Sequence, residues 1–341
     1  MYNVFADFHH SALLNSLILL FEKRLGGKVY RPIGRDWYDR GYWKIYEHPA
    51  TVAQYLDVGG ATPDGTQPLN NAKSHTDGLY HCFDIDSNQT NKAITFDLFM
   101  EMPIDIVIAS IPQHIEPFKR LCQLHPNKPK LIYQVGNAWD YSDGVMNVMA
   151  SAKINVDAGM NHIEYHQEFE IPVIIKQDDG LIKSFVNCFS IDGMFGGDWQ
   201  LFKRCEELST NDFKCYGGQG RDGAIHGAGN VAIEMANSRY IWHTKAGGDG
   251  YGHVLHMAYA LGCVPIIKKQ YYAGKLAEIL IDDTTSIIID NLSAHQIVER
   301  LEDISEETRK QMSTNAKDRF KQIVDFDREE KELRLFLARL Q

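Results

Sequence analysis

The sequence predicts an α/β protein built on open, doubly wound, mostly parallel sheets. Three stretches carry that expectation. Residues 4–31, 104–135 and 241–268 each read as an apolar strand, a helix with apolar residues at helical spacing, and a second apolar strand. Parallel strands need a crossover of a dozen or more residues, and a helix supplies it. At 341 residues the chain is long enough to divide into two domains, each with its own core.

Taken in order, Val4 to Phe8 forms the first strand, Ser11 caps a helix, and Leu13, Leu14, Leu17, Ile18, Phe21 and Leu25 make its apolar stripe, ending at Gly26-Gly27. Lys28 to Arg31 is the next strand. The loop after the first strand carries His9 and His10, at the strand end where ligands of open α/β sheets gather. One of them can act as a general base or contact an acceptor; otherwise one caps the helix and the other is solvated. Between Lys23 and Tyr46 seven Lys and Arg residues interleave with aromatic ones, and Arg35, Trp37, Arg40 and Trp43 read as a stacking, anion-contacting acceptor surface. The alternative is that the aromatics are core and the charges rim them.

Residues 57–91 are rich in turn formers and read as loop around one strand, Leu79 to Phe83. Ile104 to Ala109, Gln113 to Leu124 and Lys130 to Val135 then repeat the strand–helix–strand pattern, and residues 140–180 hold the crossover. Ile182 to Phe189 opens the second domain, followed by strand Phe213 to Tyr216, helix Asn230 to Asn237 and strand Ser286 to Ile289. Beyond Ser293 the chain is helical. The expected boundaries are 1–175, 176–310 and a helical segment 311–341.

The formal charge of -10 argues against a protein that coats nucleic acid through bulk electrostatics, and leaves room for a local basic face. Six cysteines lie scattered without a CxxC pair, as buried reduced thiols do. No signal core and no membrane span is visible. A cytoplasmic protein is the expectation.

The richest stretch is Ile241 to Lys268. Four glycines fall between Ala246 and Gly252, and His253 to Leu261 is a helix stopped by Gly262. Glycines let the main chain approach a ligand, and a helix N-terminus aims unpaired N–H groups and a positive dipole end at it. An anion site follows, most naturally one for phosphate, unless the glycines only reverse the chain. Asp249-Gly250-Tyr251-Gly252 followed by HVLHMAYALGCVPII resembles the acid-Gly-aromatic-Gly, apolar-helix segment of GT-B glycosyltransferases, particularly family-4-like ones. The resemblance implies two Rossmann-like domains facing across a cleft, with the helices of 311–341 packing back on the first, and a nucleoside-diphosphate sugar as donor substrate, with no cofactor and no metal. It also implies that Asp249 touches the donor sugar, that Gly248, Gly250, Tyr251, Gly252 and His253 hold the diphosphate, with Lys245 as a cation, and that anomeric configuration is retained. The family's second Glu, eight residues after the first, is Met257 here. His253 and His256 lie on the same helical side and could replace it, or be packed or solvated residues.

Three rival motifs compete. Gly218 to Gly223 matches G-x-G-x-x-G but falls late in the chain. Asp84-Ile85-Asp86 matches a metal-binding DxD. His162 and His166 have the i, i+4 spacing of a zinc helix without a third ligand. The expected function is transfer of a sugar from a nucleoside-diphosphate sugar to a hydroxyl acceptor, a glycan or a hydroxymethylated DNA base, with His9 and His10 on the acceptor side. The alternatives are a sugar-nucleotide epimerase of the same architecture and a catalytically silent nucleotide-sugar-binding protein.

Overall fold

The computed structural model describes residues 1–7, 11–32, 37, 40–42, 70–73, 79–83, 90–136, 144–155, 158–191, 193–225 and 228–341. They form two compact units, Met1–Phe169 with Phe326–Gln341, and Glu170–Asp325. His9, His10, Arg35, Trp43 and the Asp84-Ile85-Asp86 motif lie outside the described residues.

The first unit is built on one sheet. Its strands are β1 (Asn3–Ala6), β2 (Lys28–Pro32), β3 (Asn70–Lys73), β4 (Leu79–Phe83), β5 (Thr90–Ile94), β6 (Ile106–Ala109), β7 (Lys130–Val135), β8 (Asn147–Ala150) and β9 (Asn161–Glu164). Among the described residues their order is β3-β4-β5-β2-β1-β6-β7-β8-β9. All neighbours are parallel except β3–β4 and β4–β5, which are antiparallel. The central strands are buried along their whole length, as Ile106, Val107, Ile108 and Ala109 show, because helices cover both faces. Helices α1 (Ser11–Ile18), α2 (Phe96–Glu101) and α3 (Pro112–Leu124) belong to this unit. The apolar stripe beginning in α1 runs on through a π-helical turn, Leu19–Arg24. At its end Gly27 is pressed so close to the Tyr2 carbonyl that a Cβ would overlap it.

Trp37 is a core residue, which corrects its assignment to an acceptor surface. It is 0% exposed, its indole stacks on Phe5 with ring centroids 4.5 Å apart, and its Nε1–H donates to the Ile94 carbonyl at 2.7 Å. A partner for the N–H removes the cost of burying it, so the large apolar ring goes inside. Arg40 stays at the surface, over the Phe96 ring at 4.6 Å and 3.3 Å from Asp97. The rival zinc-helix reading of His162 and His166 does not fit the local structure. Residues 161–164 are a strand, so a four-residue spacing does not converge as it would on a helix, and His166 Nδ1 instead pairs with Glu329 at 2.6 Å.

The second unit has a wholly parallel sheet of β10 (Ile182–Ser184), β11 (Phe213–Cys215), β12 (Tyr240–His243), β13 (Pro265–Ile267) and β14 (Ile287–Ile288). The order is β11-β10-β12-β13-β14. Its helices are α4 (Gly197–Leu208), α5 (Ala228–Asn237), α6 (His253–Ala260), α7 (Ala294–Asp303) and α8 (Glu306–Ile323). Phe202 sits at the centre of the core, edge-on to Trp242 at 5.5 Å and to Phe213 at 5.2 Å.

The terminal helices divide differently from the expected 311–341 segment. Helix α8 stays in the second unit, where the Ser313 hydroxyl bonds the Gly262 carbonyl. Only α9 (Phe326–Leu337) belongs to the first unit. There Leu333, Phe336 and Leu337 join the core, and Arg24 reaches Glu168 at 2.6 Å and Asp327 at 2.7 Å. No described helix is long and apolar enough to cross a membrane.

Because Trp37 packs in the core, Trp37→Ala should lower stability by about 3–5 kcal/mol, read as a shifted urea midpoint. A surface stacking residue would change it by less than about 0.5 kcal/mol.

Candidate active site

In each sheet the first strand has its successors on opposite sides: β1 lies between β2 and β6, and β10 between β11 and β12. The C-terminal edge at such a switch point is where open α/β sheets bind ligands. In the second unit, the loop leaving β12 passes over that edge. Gly247, Gly248 and Gly252 have φ of +78°, +63° and +75°, a region costly for other residues. Gly248 lies so near the Tyr271 carbonyl that a Cβ would overlap it. Gly252 caps α6 with no side chain on the helix amides. The first turn of α6 thus keeps N–H groups and the positive end of its dipole for a ligand.

Asp249 is held on both sides. Its Oδ2 lies 3.2 Å from Nε2 of His243, which is 1% exposed, and its Oδ1 pairs with Lys245. Burial would raise the Asp249 carboxyl, but the His243 hydrogen bond and the Lys245 charge outweigh it and hold it well below the usual carboxylate range. The carboxylate is therefore ionised at neutral pH, oriented, and left with unused lone pairs.

Lys275 completes the cluster from the other side. Its ammonium bonds the Gly247 carbonyl and lies over the Tyr272 ring at 5.8 Å. Burial and the nearby charge of Lys245 push its pKa down, against the pull of Asp249. Two lysines and a helix dipole face one carboxylate, so positive potential remains for an anion. Tyr272 is fully buried beneath the loop, and burial together with the Asp249 charge pushes its hydroxyl well above the usual range. Alongside, Lys268 Nζ pairs with Asp198 at 2.6 Å, and the Tyr271 hydroxyl donates to the same oxygen at 3.1 Å.

Lys245, Gly248, Asp249, Gly250, Tyr251, Gly252 and His253 thus fall in or beside one loop. His256 does not face it. Its ring lies beneath Tyr251, stacked at 4.1 Å, and its Nδ1 is 3.0 Å from the Gly252 carbonyl. It braces the first turn of α6, a correction to its donor-binding role. Met257 is buried. The G-x-G-x-x-G match at 218–223 is closed on itself. Gly217 N–H bonds the Gly223 carbonyl at 3.0 Å, Gly220 N–H bonds Gly217 at 3.0 Å, and Asp222 takes the Cys215 N–H at 2.7 Å. Such a loop has little main chain left for a phosphate.

At the switch point of the first sheet, Asp7 follows β1 and is buried against His114 of α3, with its other oxygen accepting the Ser110 N–H at 2.7 Å. Sequence reading did not single out Asp7, Ser110, His114, His243, Lys275, Asp198 or Lys268. A polar residue closing an apolar strand, as in Tyr240-Ile-Trp-His243, is the signal that could have found His243. No three His, Cys, Asp or Glu side chains among the described residues converge as a metal site would.

No protein-family profile and no curated protein matches the sequence. Solved structures do. HepE of Anabaena, in complex with UDP-glucose, has a TM-score of 0.60 at 10% identity, covering 99% of this chain and 100% of that one. An α-glucosyltransferase with UDP and a 13-mer DNA has a TM-score of 0.62 at 9% identity, covering 99% and 100%. Sucrose-phosphate synthase from Thermosynechococcus elongatus has a TM-score of 0.60 at 9% identity, covering 100% and 99%. At these identities the likeness is one of fold, and the chain has the GT-B glycosyltransferase fold.

Since the Lys275 charge is disfavoured in the free protein, Lys275→Gln should leave the urea midpoint unchanged or raise it. Pyrophosphate binding, followed by calorimetry, should weaken about tenfold or more, the value of one charged hydrogen bond.

Proposed function

We propose that the protein is a glycosyltransferase that moves a sugar from a nucleoside-diphosphate sugar to a hydroxyl acceptor, retaining anomeric configuration and needing no metal ion. The observation that carries this reading is the uncapped N-terminus of α6 beside Lys245 and Lys275, on a fold shared with glycosyltransferases. As the bond from the sugar to the diphosphate breaks, its electron pair goes to the phosphate oxygen, the acceptor oxygen bonds the anomeric carbon from the same face, and the acceptor's proton passes to that phosphate oxygen. The helix N–H groups and the two ammonium groups stand beside that growing charge and can stabilise it, as a preorganised site lowers a barrier. Asp249, ionised and fixed by His243 and Lys245, accepts hydrogen bonds from the transferred sugar.

The acceptor is a glycan or a modified nucleic-acid base, held on the first unit. The basic, aromatic-rich sequence between Lys23 and Tyr46 supports this, as does the DNA bound to the α-glucosyltransferase of similar fold. We place the enzyme in the cytoplasm, where nucleotide sugars are the available donors.

UDP or UDP-glucose at a hundred times its dissociation constant should stabilise the protein by about 2.7 kcal/mol, seen as a raised melting temperature that EDTA leaves in place. A shift that requires a divalent metal would point to Asp84 and Asp86 instead. Conversion of the nucleotide sugar with no acceptor present would identify an epimerase.

Asp249→Asn keeps the shape of the side chain and removes its charge. Turnover should fall about tenfold to a hundredfold, the worth of a charged hydrogen bond to a sugar hydroxyl, while UDP affinity holds. Unchanged turnover at saturating donor would place the chemistry elsewhere.

A further inference from the structure

One carboxylate beside the glycine loop is only half used. Asp198, in the first turn of α4, is 2% exposed. Both of its donors, Lys268 and Tyr271, converge on Oδ1. Its Oδ2 is buried with no hydrogen-bond partner among the described residues. A buried acceptor left without a donor carries a desolvation penalty, and native structures keep few of them without a use.

Its position suggests the use. Helix α4 follows β10, Lys268 directly follows β13, and both strands flank β12, whose C-terminal end starts the glycine loop. Tyr271 links the two features, since its hydroxyl is on Asp198 and its carbonyl abuts Gly248. The charge balance then selects the ligand group. Lys268 already neutralises the carboxylate, so a second cation would be in excess, and an ionised phosphate has no proton to donate to Oδ2. A neutral O–H donor fits. Among the other acids nearby, Asp249 is the carboxylate already assigned to the transferred sugar above, and α6 has no acid in its first turn.

We propose that Asp198 Oδ2 accepts a hydrogen bond from a hydroxyl of the bound nucleotide sugar, on either its ribose or its hexose. This rests on the donor reading given above. Lys268 and Tyr271 are positioning residues here: by holding Oδ1 they fix the carboxylate rotamer and leave Oδ2 for the ligand. Both are partly exposed.

Calorimetry on the wild-type protein and on Asp198→Asn tests this with four probes: UDP, 2′,3′-dideoxy-UDP, UDP-glucose and inorganic pyrophosphate. Adenosine and guanosine series run in parallel cover the other bases. If Asp198 reads the ribose, the wild type binds UDP at least tenfold tighter than its dideoxy analogue and Asp198→Asn abolishes that margin. If it reads the hexose, the margin that disappears is that of UDP-glucose over UDP. In both cases pyrophosphate affinity is unchanged. A wild type with neither margin overturns the inference, as does a variant that keeps the margins or one that weakens all four probes alike through Lys268. Binding of pyrophosphate but of no nucleotide in any series would instead overturn the donor reading itself.

Discussion

The second unit depends on a contact that only glycine permits, the approach of Gly248 to the Tyr271 carbonyl with φ at +63°. That contact presses the loop leaving β12 onto the turn after β13, and the other groups take their places from it. Lys275 can then reach the Gly247 carbonyl, Asp249 is turned back toward His243 and Lys245, and Gly252 starts α6 with its amides uncovered. The arrangement is electrostatically incomplete. Lys245 and Lys275 repel each other across a single carboxylate, and burial makes the repulsion harder to screen.

Buried polar pairs recur where the two sheets change direction. Asp7 and His114 occupy that place in the first unit, and Asp198 with Lys268 lies close to it in the second. Each pair joins the residue that follows one strand to a residue in the first turn of a helix that follows another, β6 in the first unit and β10 in the second. Parallel strands place their loops at the same edge, so charged groups that would be costly inside the core can be held there with partners from adjacent loops.

The parts of the fold legible in the sequence are those governed by local pattern. Strand, glycine loop, helix and strand from Tyr240 to Ile267 follow from apolar runs, helical spacing and Gly262, and lie where the spacing puts them. Strand β3 falls inside the stretch that reads as loop because Asn70–Lys73 is mostly polar, and β5 (Thr90–Ile94) begins at the end of that stretch. Their pairing comes from β4 and β2 rather than from their own residues. Trp37 and His256 were misassigned because composition does not tell whether an aromatic or imidazole ring finds a buried partner. Trp37 finds the Ile94 carbonyl, and His256 the Gly252 carbonyl. Lys275, Asp198 and Lys268 were invisible for a different reason. Each reaches the site from another loop, and no spacing along the chain records a meeting between residues 70 or 28 positions apart.

The return of α9 to the first unit bears on how the protein is made. Residues 1–169 contain every strand of the first sheet, yet part of their core is supplied by Leu333, Phe336 and Leu337, and His166 awaits Glu329. During synthesis the second unit, a single continuous segment, has all its residues before the first unit has its last helix. The earlier-made unit is thus the later one to be finished, and its apolar groove stays open on the ribosome while some 150 further residues are added, a window that domains folding strictly from the N-terminus do not have.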